Sequence, residues 1–205
     1  MSALNKLMLV GAGGHGRVVA DIAEALGYTD ISFVDEKFPA LKRNLAWNVF
    51  AKQVDHAPET CLLAITIGHN ATRLQLARMF LKQGFDLPLL AHPTAYISRH
   101  SEIAVATVVM PQVVINAGAS LGFAVIANTS CSIDHDCVIG DGVHVSPGAR
   151  LAGGVKVGEG SWIGIGASIR ENITIGKNVM IAAGAVVVAD VPDDAVVMGV
   201  PARVR

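Results

Sequence analysis

The chain is poor in aromatic residues, which fill 5% of its 205 positions, and it carries no excess of either charge: 16 Lys and Arg stand against 17 Asp and Glu. A nucleic-acid surface needs a basic face and stacking rings, so the composition gives no support to a nucleic-acid partner. No apolar run approaches the roughly 20 residues that span a bilayer. The opening MSALNKLMLVGAGGHG runs into glycines where a secretory leader would show a cleavage site. These absences predict a cytoplasmic protein without membrane insertion. Cysteine is scarce and odd in number, Cys61, Cys131 and Cys137, which favours reduced core thiols over a disulfide or a metal site.

What the chain has in abundance is aliphatic residues at a fixed interval. From Ile97 to Val187 one returns at every sixth position, and all sixteen slots except Ala127 hold Ile, Leu or Val. Four residues after most anchors the side chain is again small or apolar, as at Ala119, Val125, Cys131, Cys137, Val143, Ala149, Val155 and Ala167. Neither a 3.6-residue helix nor an isolated strand has period six. A short fixed repeat predicts a β-solenoid whose coils bury their inward side chains against one another. Three hexapeptides make one coil, so this span predicts five coils and the start of a sixth, about 24 Å tall at about 4.8 Å per coil. No insertion interrupts the register, so any catalytic group must stand on the coils themselves.

The texture differs before His92-Pro93, which predicts two domains, 1–92 and 93–205. Lys6 to Val10 is an apolar run ending at Gly11-Ala12-Gly13-Gly14-His15-Gly16, followed by Val18, Val19, Ile22, Ala23 and Leu26 at helical spacing, with Gly27 as the stop. Ile31 to Val34 and Cys61 to Ile67 read as further strands, and Leu74, Leu76, Ala77, Phe80 and Leu81 as a second helix. This β-α-β-β-α order predicts a Rossmann-like parallel sheet with a crevice at its strand ends. The glycine turn and the helix after it suit a phosphate. Asp35, at the end of the second strand, is placed to accept hydrogen bonds from a ribose. Only three or four strands fit before residue 92, fewer than a dinucleotide domain needs, so a nucleotide or nucleotide-sugar is the expected ligand. Residues 38–60 show no periodicity.

Within the repeat, Ser132-Ile133-Asp134-His135-Asp136-Cys137 departs from the small outward residues around it. His135 takes an outward slot between two carboxylates, and an imidazole so flanked is suited to general base work near neutral pH. The same residues also suit a polar turn hydrogen-bonded to its own loop.

The repeat, the Asp134-His135-Asp136 segment and the closing Met198-Gly199-Val200-Pro201-Ala202-Arg203 resemble the left-handed β-helix, or hexapeptide, acyltransferases. With Gly11 to Gly16 and Asp35-Glu36 added, the chain resembles more narrowly the N-acetyltransferases of UDP-4-amino-sugars in the bacillosamine pathway and the related sialic acid O-acetyltransferases. The resemblance implies an N-terminal α/β Rossmann-like domain followed by a left-handed parallel β-helix. The implied reaction is acetyl transfer from acetyl-CoA to the 4-amino group of a UDP-linked sugar, without a metal; the alternative is O-acetylation of a sialic acid.

By position, the resemblance implies His135 as general base and Asp136 as its acidic helper, one methylene shorter than the Glu usual in that branch. His144, Gly153, Ile165 and Ala183 match acetyl-CoA-binding places, Gly153 through a backbone N–H and Ala183 where glycine is expected. Gly13, Gly14, His15, Asp35, Glu36 and Gly68 match the UDP-sugar cradle, and Asn128 is a further expected contact in the cleft. A homotrimer with active sites between subunits is implied too, and apolar residues in outward slots, Val108, Val114, Phe123 and Trp162, agree with it. Two other readings compete. γ-type carbonic anhydrases use the same helix with zinc-binding histidines, but His92, His100, His135 and His144 lack their close pair. A solenoid that binds a nucleotide without chemistry is the other.

Overall fold

The strand Lys6–Val10 (β1) buries Leu7, Met8 and Leu9 completely. Alternation sends Leu7 and Leu9 into one apolar cluster and Met8 into another, as expected for a parallel strand covered on both faces. The helix Gly14–Ala25 (α1) covers the first side. Its end is a Schellman turn: Gly27 adopts φ +90°, its N–H reaches Glu24 O, and the Tyr28 N–H reaches Ala23 O. Strand Asp30–Val34 (β2) follows, and after residues 38–60 come Leu62–Ile65 (β5) and the helix Asn70–Lys82 (α2) on the other side. The computed structural model describes residues 5–205, so the first four positions of the expected N-terminal domain lie outside it.

The stretch without periodicity forms a hairpin, Arg43–Asn44 (β3) and Trp47–Ala51 (β4), whose second strand adds in parallel to β2. The sheet therefore has five strands, in the order β3-β4-β2-β1-β5, one or two more than expected. The cause of the miss is local: β3 is two residues long, and in β4 only Val49 is fully inside.

From Leu90 onward the chain winds as a three-faced parallel solenoid of two-residue strands. The first face runs Leu90–Ala91, Val108–Val109, Ile126–Ala127, His144–Val145, Trp162–Ile163 and Met180–Ile181. The second begins at Tyr96–Ile97 and the third at Glu102–Ile103. The six-residue anchors point inward and are essentially inaccessible from Val109 to Val187. The first strand precedes Ile97 because its inward slot is Ala91, six positions earlier, which an aliphatic count passes over. Beyond Val187 the coil shortens: Met180 pairs with Val196, sixteen residues on instead of eighteen. The antiparallel pair Val196–Met198 and Arg203–Val204 then closes that end.

The α/β domain packs on the first face of the solenoid. In outward positions of that face Leu90, Val108, Ile126 and His144 are buried, whereas Met180 and Val196, in the last coils, are exposed. Of the residues read as left wet by one chain, Val108 is covered within it, under the domain, and Trp162 is half-buried, packed against His144 at a centroid distance of 4.1 Å. Of the four, Val114 alone is exposed.

Arg73, on α2, fastens the two parts. It is 1% exposed. Its Nε donates to Ala124 O, Nη1 to Ile67 O and Gly68 O, and Nη2 to Asn70 Oδ1 and Gly142 O. Asn70 Nδ2 donates in turn to Gly160 O and Ser161 O. Residues 124, 142 and 160 recur at the eighteen-residue period, so one arginine and one asparagine grip three successive coils. All five guanidinium donors are satisfied, which is the condition for burying such a group.

Candidate functional site

At the carboxyl ends of β1, β2 and β5 lies a cleft of about 670 Å³, within the range of small-molecule sites. Gly13, Gly14, His15, Asp35, Glu36 and Gly68 all line it, together with Lys37, Lys52 and Thr66. The turn is built by two kinds of glycine. Gly11 adopts φ +110°, and a β-carbon at Gly16 would strike Gly11 O and the Phe33 ring, so the fold itself requires both. Gly13, Gly14 and Gly68 have open space in front of them and no left-handed φ. Packing does not demand glycine at those three places; close approach of a ligand would. Gly13 caps α1 without a side chain, leaving first-turn N–H groups available to an anion.

Asp35 holds this turn in shape. Its Oδ2 accepts from Ala12 N at 2.7 Å and its Oδ1 from Lys37 N at 2.9 Å, so each oxygen keeps one further lone pair for a ligand. Asn44, 3% exposed, donates from Nδ2 to Ala12 O and Gly13 O and accepts from Arg17 Nε. Thr66 Oγ1 donates its one hydrogen to Gly11 O at 2.6 Å, with Val10 O also within reach at 2.9 Å. Asn44 and Thr66 escape a reading of the sequence, since neither belongs to a motif and each is recognised only by the backbone it meets.

Behind His15, in the buried seam between the α/β domain and the first solenoid face, lies His144, 6% exposed and close enough to feel the charge of His15 and Arg73. Asn128 Oδ1 accepts from Thr129 N, which turns its Nδ2 toward His144 Nε2 at 2.9 Å. His144 Nε2 is then an acceptor, so the ring carries its proton on Nδ1. That Nδ1 and His15 Nε2 are both buried without a partner among the described residues. Burial, and then the charge of Arg73, lowers His15 to about 4. Burial first, then Arg73 and His15, lowers His144 to about 3. Both rings are neutral at physiological pH and offer uncharged hydrogen-bonding nitrogens. Asn128 itself is not in the cleft wall; it acts on His144.

His135 stands elsewhere, in the turn joining the second and third faces, on the edge across the prism from the first face. Its Nδ1 lies 2.8 Å from Asp136 Oδ2, with both side chains well exposed. Asp134 Oδ1 accepts from the His135 backbone N–H and from Asn116 Nδ2. The hydrogen bond to Asp136, aided by the charge of Asp134, raises the His135 pKa. The Asn116 bond and the His135 N–H hold Asp134 below the usual carboxylate value. With Nδ1–H engaged, Nε2 is a free and basic lone pair. Gly153 lies directly over this ring.

Ile165 and Ala183 occupy one column, eighteen residues apart, in the turns between the first and second faces, and both are exposed. The expected acetyl-CoA residues therefore fall on three places: His144 on the first face, Ile165 and Ala183 on one edge, and Gly153 with His135 on another. One chain does not bring them together. All three cysteines are buried and free, and burial pushes Cys131 up to about 12 and raises Cys61 and Cys137, so none is an activated nucleophile. Among the described residues no three His, Cys, Asp or Glu side chains are grouped to hold a metal, and no helix is long and apolar enough to cross a membrane.

Comparison with known proteins agrees with this architecture. Residues 6–80 match the PglD N-terminal domain, and residues 154–189 match the bacterial transferase hexapeptide (six repeats). The acetyltransferase domain of PglB from Neisseria gonorrhoeae FA1090, solved in complex with acetyl coenzyme A, is 40% identical, with a TM-score of 0.94 over 98% of this chain and 99% of that one. GDP-perosamine N-acetyltransferase of Escherichia coli O157:H7 is 30% identical over 70% of this chain and 68% of its own. UDP-N-acetylbacillosamine N-acetyltransferase of Bacillus subtilis (strain 168) is 34% identical, over about half of each chain (52%). The fold and the two matched regions define a left-handed β-helix transferase preceded by an α/β domain. The chain belongs to the hexapeptide-repeat sugar N-acetyltransferases with a PglD-type N-terminal domain.

Proposed function

We propose that this chain transfers the acetyl group of acetyl-CoA to the 4-amino group of a UDP-linked amino sugar, the step that yields UDP-N,N′-diacetylbacillosamine, in the cytoplasm. The observation that carries the proposal is the pairing of two features: a cleft lined by three glycines with open space in front of them, and an exposed imidazole whose Nδ1 is engaged by a carboxylate. The names of the relatives, acting on a UDP-linked and a GDP-linked sugar, support the nucleotide-sugar class.

In this reading Gly13, Gly14 and the α1 N-terminus receive the diphosphate, and Asp35 and Glu36 face the nucleoside. Gly68 and His15 bound the sugar, and Asn128 contributes by holding the His144 tautomer. His144 Nδ1–H, Ile165 and Ala183 hold acetyl-CoA. His135 Nε2 takes a proton from the amine as its nitrogen attacks the thioester carbonyl. The Gly153 backbone N–H meets the developing oxyanion, and the C–S bond breaks with the proton passing from the imidazolium to the leaving thiolate. Because His135 and the cleft lie on opposite sides of one prism, the site is completed by a neighbouring copy in a homotrimer.

The deciding assay is thiol release from acetyl-CoA with UDP- and GDP-4-amino sugars and with free sialic acids. Turnover with UDP-amino sugars is expected; turnover confined to sialic acids would replace this reading with O-acetylation. His135→Ala is expected to lower kcat at least about a hundredfold with folding intact. Mixing His135→Ala with a cleft-blocked variant such as Gly13→Trp should restore activity in mixed assemblies. A fully active monomer by light scattering would remove the shared site.

A further inference from the structure

Along the solenoid axis the His135–Asp136 pair is flanked by glycine on both sides. One coil earlier is Gly118, at φ +77°, where a β-carbon would sit 2.5 Å from Asp136 Oδ1. One coil later is Gly153, where a β-carbon would overlap the His135 ring at Nε2 and Cε1. Asp136 occupies the left-handed region at φ +59°, which turns its carboxylate back over Gly118 and leaves Oδ2 for His135 Nδ1.

The two glycines differ in kind. A glycine beneath an Asx residue of the next coil is a recurring joint here: Gly154 lies beneath Asn172 and Gly160, at φ +73°, beneath Asn178. Gly118 is such a joint with a carboxylate in the Asx place. Gly153 is not. Its backbone lies outside the left-handed region, and among the described solenoid glycines it alone has an imidazole as its nearest neighbour. Nothing in the backbone forbids a side chain at 153; the only obstacle is an exposed, movable ring.

We propose that Gly118 and Gly153 are positioning residues, whose missing side chains form the slot that keeps the His135 ring on Asp136 with Nε2 free for the acceptor. The proposal rests on His135 as the base. Alanine at 153 keeps the backbone N–H, so it separates the slot from any contact of that N–H with the thioester.

The experiment measures kcat, both KM values, the pH–rate profile and the melting temperature of Gly153→Ala, Gly118→Ala, Gly160→Ala and His135→Ala, with an NMR titration of His135 in the first two. Gly153→Ala should lose at least about tenfold in kcat, as a displaced base does, with both KM values and the melting temperature close to wild type. Its His135 titration and the acidic limb of its profile should move to lower pH as the Asp136 bond is lost. Gly118→Ala should show the same shift and also melt lower, and Gly160→Ala should melt lower with an unchanged profile. A Gly153→Ala enzyme with wild-type kcat and titration, or one altered only in KM for acetyl-CoA, overturns the proposal. If His135→Ala itself turns over normally, the fault lies in the base assignment; if it is inactive while both glycine variants behave as wild type, only the slot is wrong.

Discussion

The two halves of this molecule are stabilised in different ways. The solenoid repeats one solution: an aliphatic residue inward every sixth position, a tight turn, and the same ladder of backbone hydrogen bonds to the coil before. Each coil depends on its neighbours and on little else. The α/β domain has no repeated solution. Its glycine turn is held by Asp35, Asn44 and Thr66, three side chains from three strand ends, each meeting a different backbone group. The difference teaches where chemistry can be placed. The regular half gives a rigid edge on which one outward residue, His135, is easily exposed. The irregular half gives a concave cleft with polar groups converging on it. Where the halves meet, polar atoms are buried, and Arg73, His15 and His144 share a low-dielectric seam.

The largest test of this contrast is Arg73→Met. It removes five donors at once and leaves the buried carbonyls of Ala124 and Gly142 without them, at a cost of about 3 kcal/mol or more. Because the coils do not depend on the seam, the wild type is expected to unfold in one calorimetric transition and the variant in two, an early one for the α/β domain and a later one for the solenoid. One unsplit transition near the wild-type temperature would mean that the halves are not fastened through this residue.

The second test is acid. His15 and His144 are held at about 4 and about 3, below the ordinary 6.5, so the unfolded chain binds their protons first as pH falls. The stability tied to their neutrality is full above pH 6.5 and is lost as pH drops from there toward 3. The slope of this contribution reaches up to about 2.7 kcal/mol per pH unit while both are involved, about 1.4 for each proton. His144→Gln should remove close to half of it in melting curves taken from pH 7 to 4. An unaltered slope would show that the seam is wetter than its geometry indicates.

The smallest effect is expected on the exposed edge. Asp136→Asn weakens the hydrogen bond, and removes the charge, by which Asp136 raises His135. The free-base form then dominates from a lower pH, so the acidic limb of the rate profile moves down while kcat falls about tenfold, less than for loss of the base itself. Stability should be unchanged, because the pair is solvated. A profile that does not move would assign the raised basicity to Asp134 instead.

Much of this was legible beforehand for a physical reason. The glycine turn, the helix behind it and Asp35 at the next strand end are separated by few residues and constrained by local geometry, and all their expected positions line one cleft. Asn44 and the β3–β4 hairpin were not legible, because short strands with mixed exposure carry no period. Val108 looked like an outward apolar residue for a partner, since period six says which way a side chain points and not what covers it.

Sequence alone determined that the chain is a solenoid and that a glycine turn between strand and helix precedes it, because both are written in spacings that recur within one coil or one βα unit. Tertiary structure decided the rest. Arg73 finds Ala124 and Gly142 across 51 and 69 residues, contacts that no local pattern encodes and that exist only once one face of the prism has been buried. The same docking buried His144 in the seam beside His15 and left His135 on the far edge. A repeat specifies inside and outside, whereas the choice among three outer faces is made by the packing of a second, irregular body.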